Sequence, residues 1–460
     1  MRTVEELIEL KRLRLEQKRQ LIVNLVLVIY WLMILEGALR KWIAPRYYDV
    51  LLAIKDPIVL YIYFLAIPEG LYIKKNRVVS YGFFLFYFLM FFGIVQYGVL
   101  GINPIVVGYG WRNYCLYLPL IFVIGENFKG NDLRRLIKHT LLLAIPMSFL
   151  VYKQFSSPLT DIVNLPPPGG AVYTIEHGTT GFTARPTGTF SSYHGQQMFA
   201  GSLSACLIAT WILPPVNRPL NAFFLWISTI AVMTNIFLTG TRAPLLLAFS
   251  ILSAAWLGSF IVKDRMIRLR SRVIPIAITV LGILVLTMFY DKALELVKKR
   301  SQSSGAASIE STISRSFYQI TSFWRFVGYF RNDPIGFGMA HTSRPGRFYV
   351  ASGEVPRTDE DEWSRIIGDL GPYAGLAFIF FRIWLTWQLI AGAINAAKRS
   401  SNPTPILLAA FTAPVFLFWY ATHIVSVHDY AWLFAGFCMA ANRLGMNMQS
   451  EDTLKQNPWN

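Results

Sequence analysis

The chain has 460 residues, 54% of them hydrophobic and 15% aromatic, with a mean hydropathy of +0.42 and a formal net charge of +17. That balance excludes an ordinary water-soluble globular protein. Mostly apolar runs, each long enough to cross about 30 Å of hydrocarbon, recur from residue 20 to residue 445. The expected fold class is therefore all-α, a polytopic membrane protein with about twelve transmembrane helices and a long outer loop between the ninth and tenth.

In chain order, residues 1–19 form a basic segment without the small-residue cleavage site of a secretory signal, so the first apolar run is its own insertion signal. Leu7, Leu10, Leu13 and Leu15 fit either a helix lying on an anionic membrane face or a solvated tail that fixes orientation. Residues 20–290 hold nine expected spans: 20–38, 49–68, 79–100, 105–125, 134–152, 190–212, 219–240, 243–262 and 273–290. A Pro- and Gly-rich loop interrupts them at 153–189. A second long loop, 291–370, is large enough for a small helical subdomain. Spans at 371–392, 405–422 and 430–445 complete the set before a cytoplasmic tail at 446–460. No internal repeat is evident, which weakens transporter folds built from inverted halves. Cys115, Cys206 and Cys438 sit in apolar runs without C-x-x-C spacing, so neither a disulfide nor a thiolate metal site is expected.

Lysines and arginines crowd the connections on one side, among them Lys74, Arg77, Arg134, Lys138, Lys263 and Arg272. The positive-inside rule then places both termini in the cytoplasm and the two long loops on the outer face. Much of the net charge becomes topogenic, and it does not argue for nucleic acid.

Some arginines are not explained by topology. Arg242, in NIFLTGTRAPLL, is the only charged residue in the 44 positions between Arg218 and Lys263. It falls at the outer end of an apolar hairpin, where its charge needs an anion, a carboxylate or water; snorkelling to lipid phosphate also satisfies it. Arg112 in GYGWRNYC, Arg185 in FTARPTGTF, and Arg315, Arg325, Arg331 and Arg365 lie on the same expected side. Positive charge thus gathers where the topology rule disfavours it. A guanidinium offers a planar fork of donors and stays charged when desolvated, which suits the pyrophosphate of a lipid-linked sugar at a membrane surface.

Taken together, RPTGTFSSYHGQQMFAG, TGTRAPLL, a long loop containing SRSFYQ and DPIGFGMA, and DEWSRIIGDLGPYAGL resemble the O-antigen ligase and polymerase superfamily. The resemblance covers roughly residues 80–445, and its specificity lies in the order and membrane placement of the motifs. It implies an inverting, metal-independent glycosyl transfer without cofactor at the outer face of a bacterial inner membrane. The donor is an undecaprenyl-pyrophosphate-linked glycan, with membrane lipids and other polysaccharide-assembly proteins as partners. By position, Arg185, Arg242 and Arg315 match the family's diphosphate-holding arginines, and Arg112 matches the one in the preceding helix pair. Arg365 joins them as a candidate from its place in the outer segment. Ligases of the family carry a histidine shortly before the glycine that opens the next helix, whereas this chain reads TDEDEW there. Glu360 and its neighbours Asp361 and Glu362 occupy that place, and a carboxylate is a competent general base for a sugar hydroxyl. Glu360 and Glu362 are the expected catalytic residues, and the substitution points to a polymerase over a ligase transferring glycan to lipid A core.

Plainer roles stand beside these. TDEDEW also reads as an acidic cap on a helix, and the D-x-D of Asp359 and Asp361 is too short to signal a nucleotide site. His194 fits packing or capping as well as substrate contact. His423 and His428 are five apart, about 140° around a helix, which argues against a shared metal. Lys55 with Asp56 is expected as a buried ion pair, and Arg382 as a snorkelling arginine. A secondary transporter or polysaccharide exporter remains the rival from another class.

Overall fold

Backbone amides find no water in hydrocarbon, so apolar runs of this kind satisfy their hydrogen bonds internally as helices. The computed structural model describes residues 4–74, 76–168, 170–176, 182–289, 324, 327–328, 334–343 and 361–456. Among the described residues six helices are long and apolar enough to cross a membrane: Val4–Ile43, Pro45–Glu69, Arg77–Leu100, Gly130–Ser156, Arg265–Met288 and Glu362–Ser400. Three shorter apolar helices, Ala222–Phe237, Ala243–Gly258 and Thr404–Phe418, accompany them. The chain is a helical membrane protein.

The α-helices in chain order are α1 (Val4–Ala38), α2 (Tyr48–Leu52), α3 (Asp56–Glu69), α4 (Arg77–Leu100), α5 (Pro104–Trp111), α6 (Leu120–Asn127) and α7 (Gly130–Ser156). After a two-stranded antiparallel ribbon, β1 (Thr174–Glu176) and β2 (Phe182–Ala184), follow α8 (Tyr193–Ile212), α9 (Ala222–Phe237), α10 (Ala243–Gly258) and α11 (Arg265–Phe289). The last three are α12 (Glu362–Ser400), α13 (Thr404–Phe418) and α14 (Val425–Gln456).

α8 and α14 form the middle of the bundle. α14 packs against α1, α6, α7, α8, α12 and α13, and buries Tyr430, Trp432, Phe434 and Phe437. α8 is buried all round from Gly195 to Thr210, as expected for a helix without an amphipathic stripe. α4 and α11 lie at the periphery, exposing Phe84, Tyr87 and Phe91, and Ile276, Val280 and Ile283 respectively. In a membrane protein these are lipid-facing surfaces.

Several elements differ from the sequence expectation. α1 runs unbroken from residue 4, its outermost turns exposed, and is anchored by Arg19 to Asp132 at 2.7 Å and Glu16 to Lys129 at 3.0 Å. The run at 105–125 is not one helix: α5 and α6 are joined by a π-helical turn, Arg112–Leu116, whose wider winding turns consecutive polar side chains toward different neighbours. α14 continues through most of the expected tail.

The largest departure is α12, which begins at Glu362 and contains a reversal. Gly371 has φ 73° and ψ 173°, outside any helix, and Pro372 follows it. Arg382 Nη1 bonds Glu362 Oε1 at 3.0 Å although twenty residues separate them. A straight helix would hold them about 30 Å apart, so the arm 362–370 folds back alongside the arm that starts at Pro372. A Cβ at Gly371 would strike the Pro334 carbonyl, and one at Gly336 (φ 72°) would strike Gly371 in return. Two glycines placed back to back let the segment 334–343 cross the corner.

Candidate functional site

The returning arm carries a buried polar centre. Asp361 caps it, accepting from Ser364 N at 2.7 Å and Ser364 Oγ at 2.5 Å. Glu362 turns inward, 4% exposed, and accepts from Arg382, from Thr422 N at 2.7 Å and from Thr422 Oγ1 at 2.5 Å. Its second oxygen stands 2.9 Å from His423 Nδ1. Asp369, two turns along the same face, reaches the other imidazole nitrogen, Nε2, at 3.2 Å and accepts from Tyr114 Oη at 2.9 Å. Thr342 N donates to Asp369 at 3.0 Å, and Thr342 Oγ1 lies 3.2 Å from His423 Nε2. Arg382 also donates to the Phe416 carbonyl at the end of α13.

His423 belongs to the turn 419–424 between α13 and α14. Burial works against its protonation, but the carboxylates of Glu362 and Asp369 outweigh that cost and raise the imidazole to about 9. With the ring protonated, the charges of Glu362, Asp369, Arg382 and His423 cancel. Gln96 of α4 closes the centre from above: its Nε2 donates to Ile335 O and Asp369 O at 2.7 and 2.9 Å, and its Oε1 accepts from Met339 N at 2.9 Å. The segment 334–340 is thereby wedged into the bundle, with Met339 and Ala340 fully buried and Ala340 held at φ 60°.

A second ionic network lies across α1, α3 and α14. Lys55 bridges Glu36 and, at 2.5 Å, Asp429; Glu36 also takes Arg40 at 2.9 Å. Asp56 accepts from Arg112 Nε at 2.8 Å and lies 3.2 Å from Tyr117 Oη. His428 sits between Asp429 and the Asn113 carbonyl. The π turn links both centres, sending Arg112 and Asn113 to this network and Tyr114 to the first. Glu36, Asp56 and Asp429 balance Arg40, Lys55 and Arg112.

Above the 419–424 turn runs a line of cations and rings. Arg185 lies 4.6 Å from the Tyr193 ring; Tyr193 and His194 overlap at 4.1 Å; His194 meets Tyr420 at 6.2 Å; and Arg365 lies 5.6 Å from Tyr420. Arg185 and Arg365 have no carboxylate partner among the described residues, and each has a buried Nε without a hydrogen bond. Arg185 is held by the ribbon: its N donates to Tyr173 O at 2.8 Å, one step past the Thr174–Ala184 pair. Ile175 of β1 rests on Gly240, two residues before Arg242, so the T-G-T-R hairpin underlies the same ribbon. The G-T-F turn that follows Arg185 is pinned between α1 and α7, with Gly188 N donating to Gln154 Oε1 at 2.8 Å and Thr189 Oγ1 to Ile34 O at 2.5 Å.

The expected site residues thus separate. Arg185, Arg242 and Arg365 gather at one end of the bundle around the ribbon and the 419–424 turn. Arg112 does not join them: it is 6% exposed, and Asp56 meets its charge inside the bundle. Glu362 is enclosed by Arg382, Thr422 and His423, so in this conformation its oxygens are occupied. Glu360 and Arg315 lie outside the described residues. Lys55 and Asp56 do not pair with each other, and Arg382 is a fully buried partner of Glu362, not a snorkelling arginine. Sequence reasoning missed Asp369 and Asp429; each lies in a mostly apolar stretch, Asp369 two residues before the break at Gly371 and Asp429 next to His428. Comparison of the chain with known protein families and with curated proteins returns no match, and the resemblance rests on its motifs alone.

Proposed function

We propose that the chain is a membrane glycosyltransferase that polymerises lipid-linked oligosaccharide repeat units, using an undecaprenyl-pyrophosphate-linked donor at the periplasmic face of a bacterial inner membrane. The observation that carries this reading is the cation and ring line, Arg185–Tyr193–His194–Tyr420–Arg365, with Arg242 under the adjoining ribbon. The guanidinium groups of Arg185 and Arg365, which have no carboxylate partner among the described residues, offer a diphosphate the donors that stabilise it as the anomeric bond breaks. Rings beside them suit sugar faces.

In this reading the six long apolar helices, the three shorter ones, α8, α14 and the α5–α6 pair make twelve crossings. Both termini are cytoplasmic, and the arginine line faces outward. Asp361 caps α12 and Glu362 fixes His423 and Arg382, so proton removal from the acceptor sugar falls to Glu360. Arg315 completes the clamp. The acceptor is a second lipid-linked glycan; transfer to lipid A core is the alternative within the same chemistry.

A transporter is the second reading, favoured by the buried network of Glu36, Lys55, Asp56, Arg112 and Asp429, since intramembrane charges also mark ion pathways. Reconstitution of the purified chain with lipid-linked donor separates the two. New glycosidic bonds support the enzyme; movement of intact glycan across the bilayer without bond formation overturns it.

A further inference from the structure

Lys41 stands next to Arg40 of the second ionic network but outside its balance of three acids and three bases. It sits in the π-helical turn Leu39–Ile43 that ends the first span, and it is 8% exposed. Its ammonium donates to Thr187 Oγ1 at 2.9 Å and to Gly188 O at 3.0 Å, and lies 4.4 Å from the Trp42 ring. All three contacts are neutral. Arg40 next to it already belongs to Glu36, and no carboxylate pairs with Lys41 among the described residues. A buried ammonium lacking a counter-charge is costly, and the fold brings a second cation to the same place.

Lys41 and Arg185 line one cavity, about 280 Å³ including the open space at its mouth, closed by Asn164, Tyr173, Thr187 and Ser191. Among the described residues no acid contributes to its wall. The cavity's free interior is about the size of one water, so a phosphate joined to a longer body would engage it at the mouth, with one edge toward Lys41 and the remainder outside. The Nε of Arg185, buried and without a partner, completes the donor set.

We propose that this cavity, between the end of α1 and the 164–191 segment, is a phosphate subsite in which Lys41 and Arg185 grip one phosphate of a diphosphate. The inference deepens the proposed function and rests on it for the identity of the diphosphate as lipid-borne. It adds a lysine from the first span to a clamp that the sequence confined to arginines.

The test uses the purified full chain in detergent micelles, with a synthetic polyprenyl diphosphate and with inorganic pyrophosphate as probes. Lys41→Met keeps the stem and removes the ammonium; it is expected to weaken polyprenyl diphosphate binding by about tenfold or more, the scale of a lost hydrogen bond to a charged group. Lys41→Arg is expected to retain most of the affinity. Arg185→Gln serves as the second variant, and Lys398→Met, exposed on α12, as the control. Lys41-dependent binding of pyrophosphate without the lipid supports the subsite and assigns it a soluble ligand. Equal affinity of wild type and Lys41→Met for both probes, at matched thermal unfolding, overturns the proposal, as does absence of binding to either. Lys41-dependent binding by a chain that forms no glycosidic bond upholds the subsite while glycosyl transfer fails; bond formation with Lys41-independent binding does the reverse.

Discussion

His423 stands between Glu362 and Asp369, 2.9 Å from the first through Nδ1 and 3.2 Å from the second through Nε2. The imidazole ties the returning arm of α12 to the turn that joins α13 and α14. Because the two carboxylates raise it from the ordinary 6.5 to about 9, its folded form holds the proton more tightly than its unfolded form. The stabilisation is fully present below about pH 6.5 and is lost as pH rises through 9. By linkage the difference is on the order of 3 kcal/mol. Thermal unfolding of the detergent-solubilised chain should therefore fall more steeply between pH 7 and 10 in wild type than in His423→Asn. Parallel pH profiles for the two proteins would show that the imidazole is not protonated in the fold.

Lys55 holds two acids, Asp429 and Glu36, of which Glu36 is shared with Arg40. Lys55→Met leaves Asp429 without its lysine and Glu36 with Arg40 alone, and loss of one partner from a buried ion pair costs about 3–5 kcal/mol. Lys55→Met combined with Asp429→Asn removes one stranded charge and leaves Arg40 to Glu36, so the double variant should recover part of the loss. A double-mutant cycle in thermal unfolding measures the coupling; additive effects would mean that the pair does not carry the charge balance assigned to it.

These pairings mark where sequence reasoning reaches its end. Apolar runs announce helices, and a lone arginine in such a run announces a need for a partner. The partner itself is settled by packing: Lys55 meets Asp429 across 374 positions, beyond anything local spacing encodes. Adjacency suggested Lys55 with Asp56, but neighbours on a helix point about 100° apart, and each finds its counter-charge on another element. Arg185, Arg242 and Arg365 were legible as unexplained charge because they break the topology rule. Arg112 broke it equally, yet Asp56 supplies its reason from within. Gly371 was legible as the start of a span; the helical arm that precedes it and folds back alongside was not, because that depends on Glu362 meeting Arg382 across the corner.

The separation of Arg112 from the other arginines has a kinetic consequence. Arg185→Lys and Arg365→Lys keep a charge but lose the planar fork, and should lower product formation by about ten- to a thousandfold, the range for a donor serving developing charge. Protein abundance in the membrane should stay near wild type. Arg112→Lys should act through folding, reducing abundance while the surviving protein turns over normally. Assays normalised to folded protein, measured by size-exclusion chromatography, distinguish these patterns; a turnover defect confined to Arg112→Lys would reverse the assignment.

Gly371 and Gly101 both have positive φ, 73° and 63°, but their surroundings differ. A Cβ at Gly101 meets nothing within 4 Å among the described residues, so Gly101→Ala bears only the backbone penalty, about 1–2 kcal/mol. At Gly371 the same atom strikes the Pro334 carbonyl, and relief requires the 334–343 segment to leave the corner. Gly371→Ala should lower the unfolding midpoint well beyond Gly101→Ala. Because that segment delivers Thr342 to His423, it should also release the steep alkaline slope. Equal midpoints for the two variants would argue that the segment does not bear on the corner in the folded protein.

In the proposed reaction Glu360 and Glu362 take different roles, although only Asp361 separates them in TDEDEW. Glu362 is enclosed by Arg382, Thr422 and His423, so Glu362→Gln removes the charge that both cations face and should destabilise the chain by about 3 kcal/mol or more. A lost proton acceptor at Glu360 has a different signature. Glu360→Gln should leave the unfolding midpoint unchanged and reduce glycosyl transfer by about a hundredfold or more, the usual contribution of a positioned general base. Measuring unfolding and transfer on the same preparations settles the division. If Glu360→Gln polymerises at the wild-type rate, the TDEDEW stretch contributes structure alone and the base must be sought on another element.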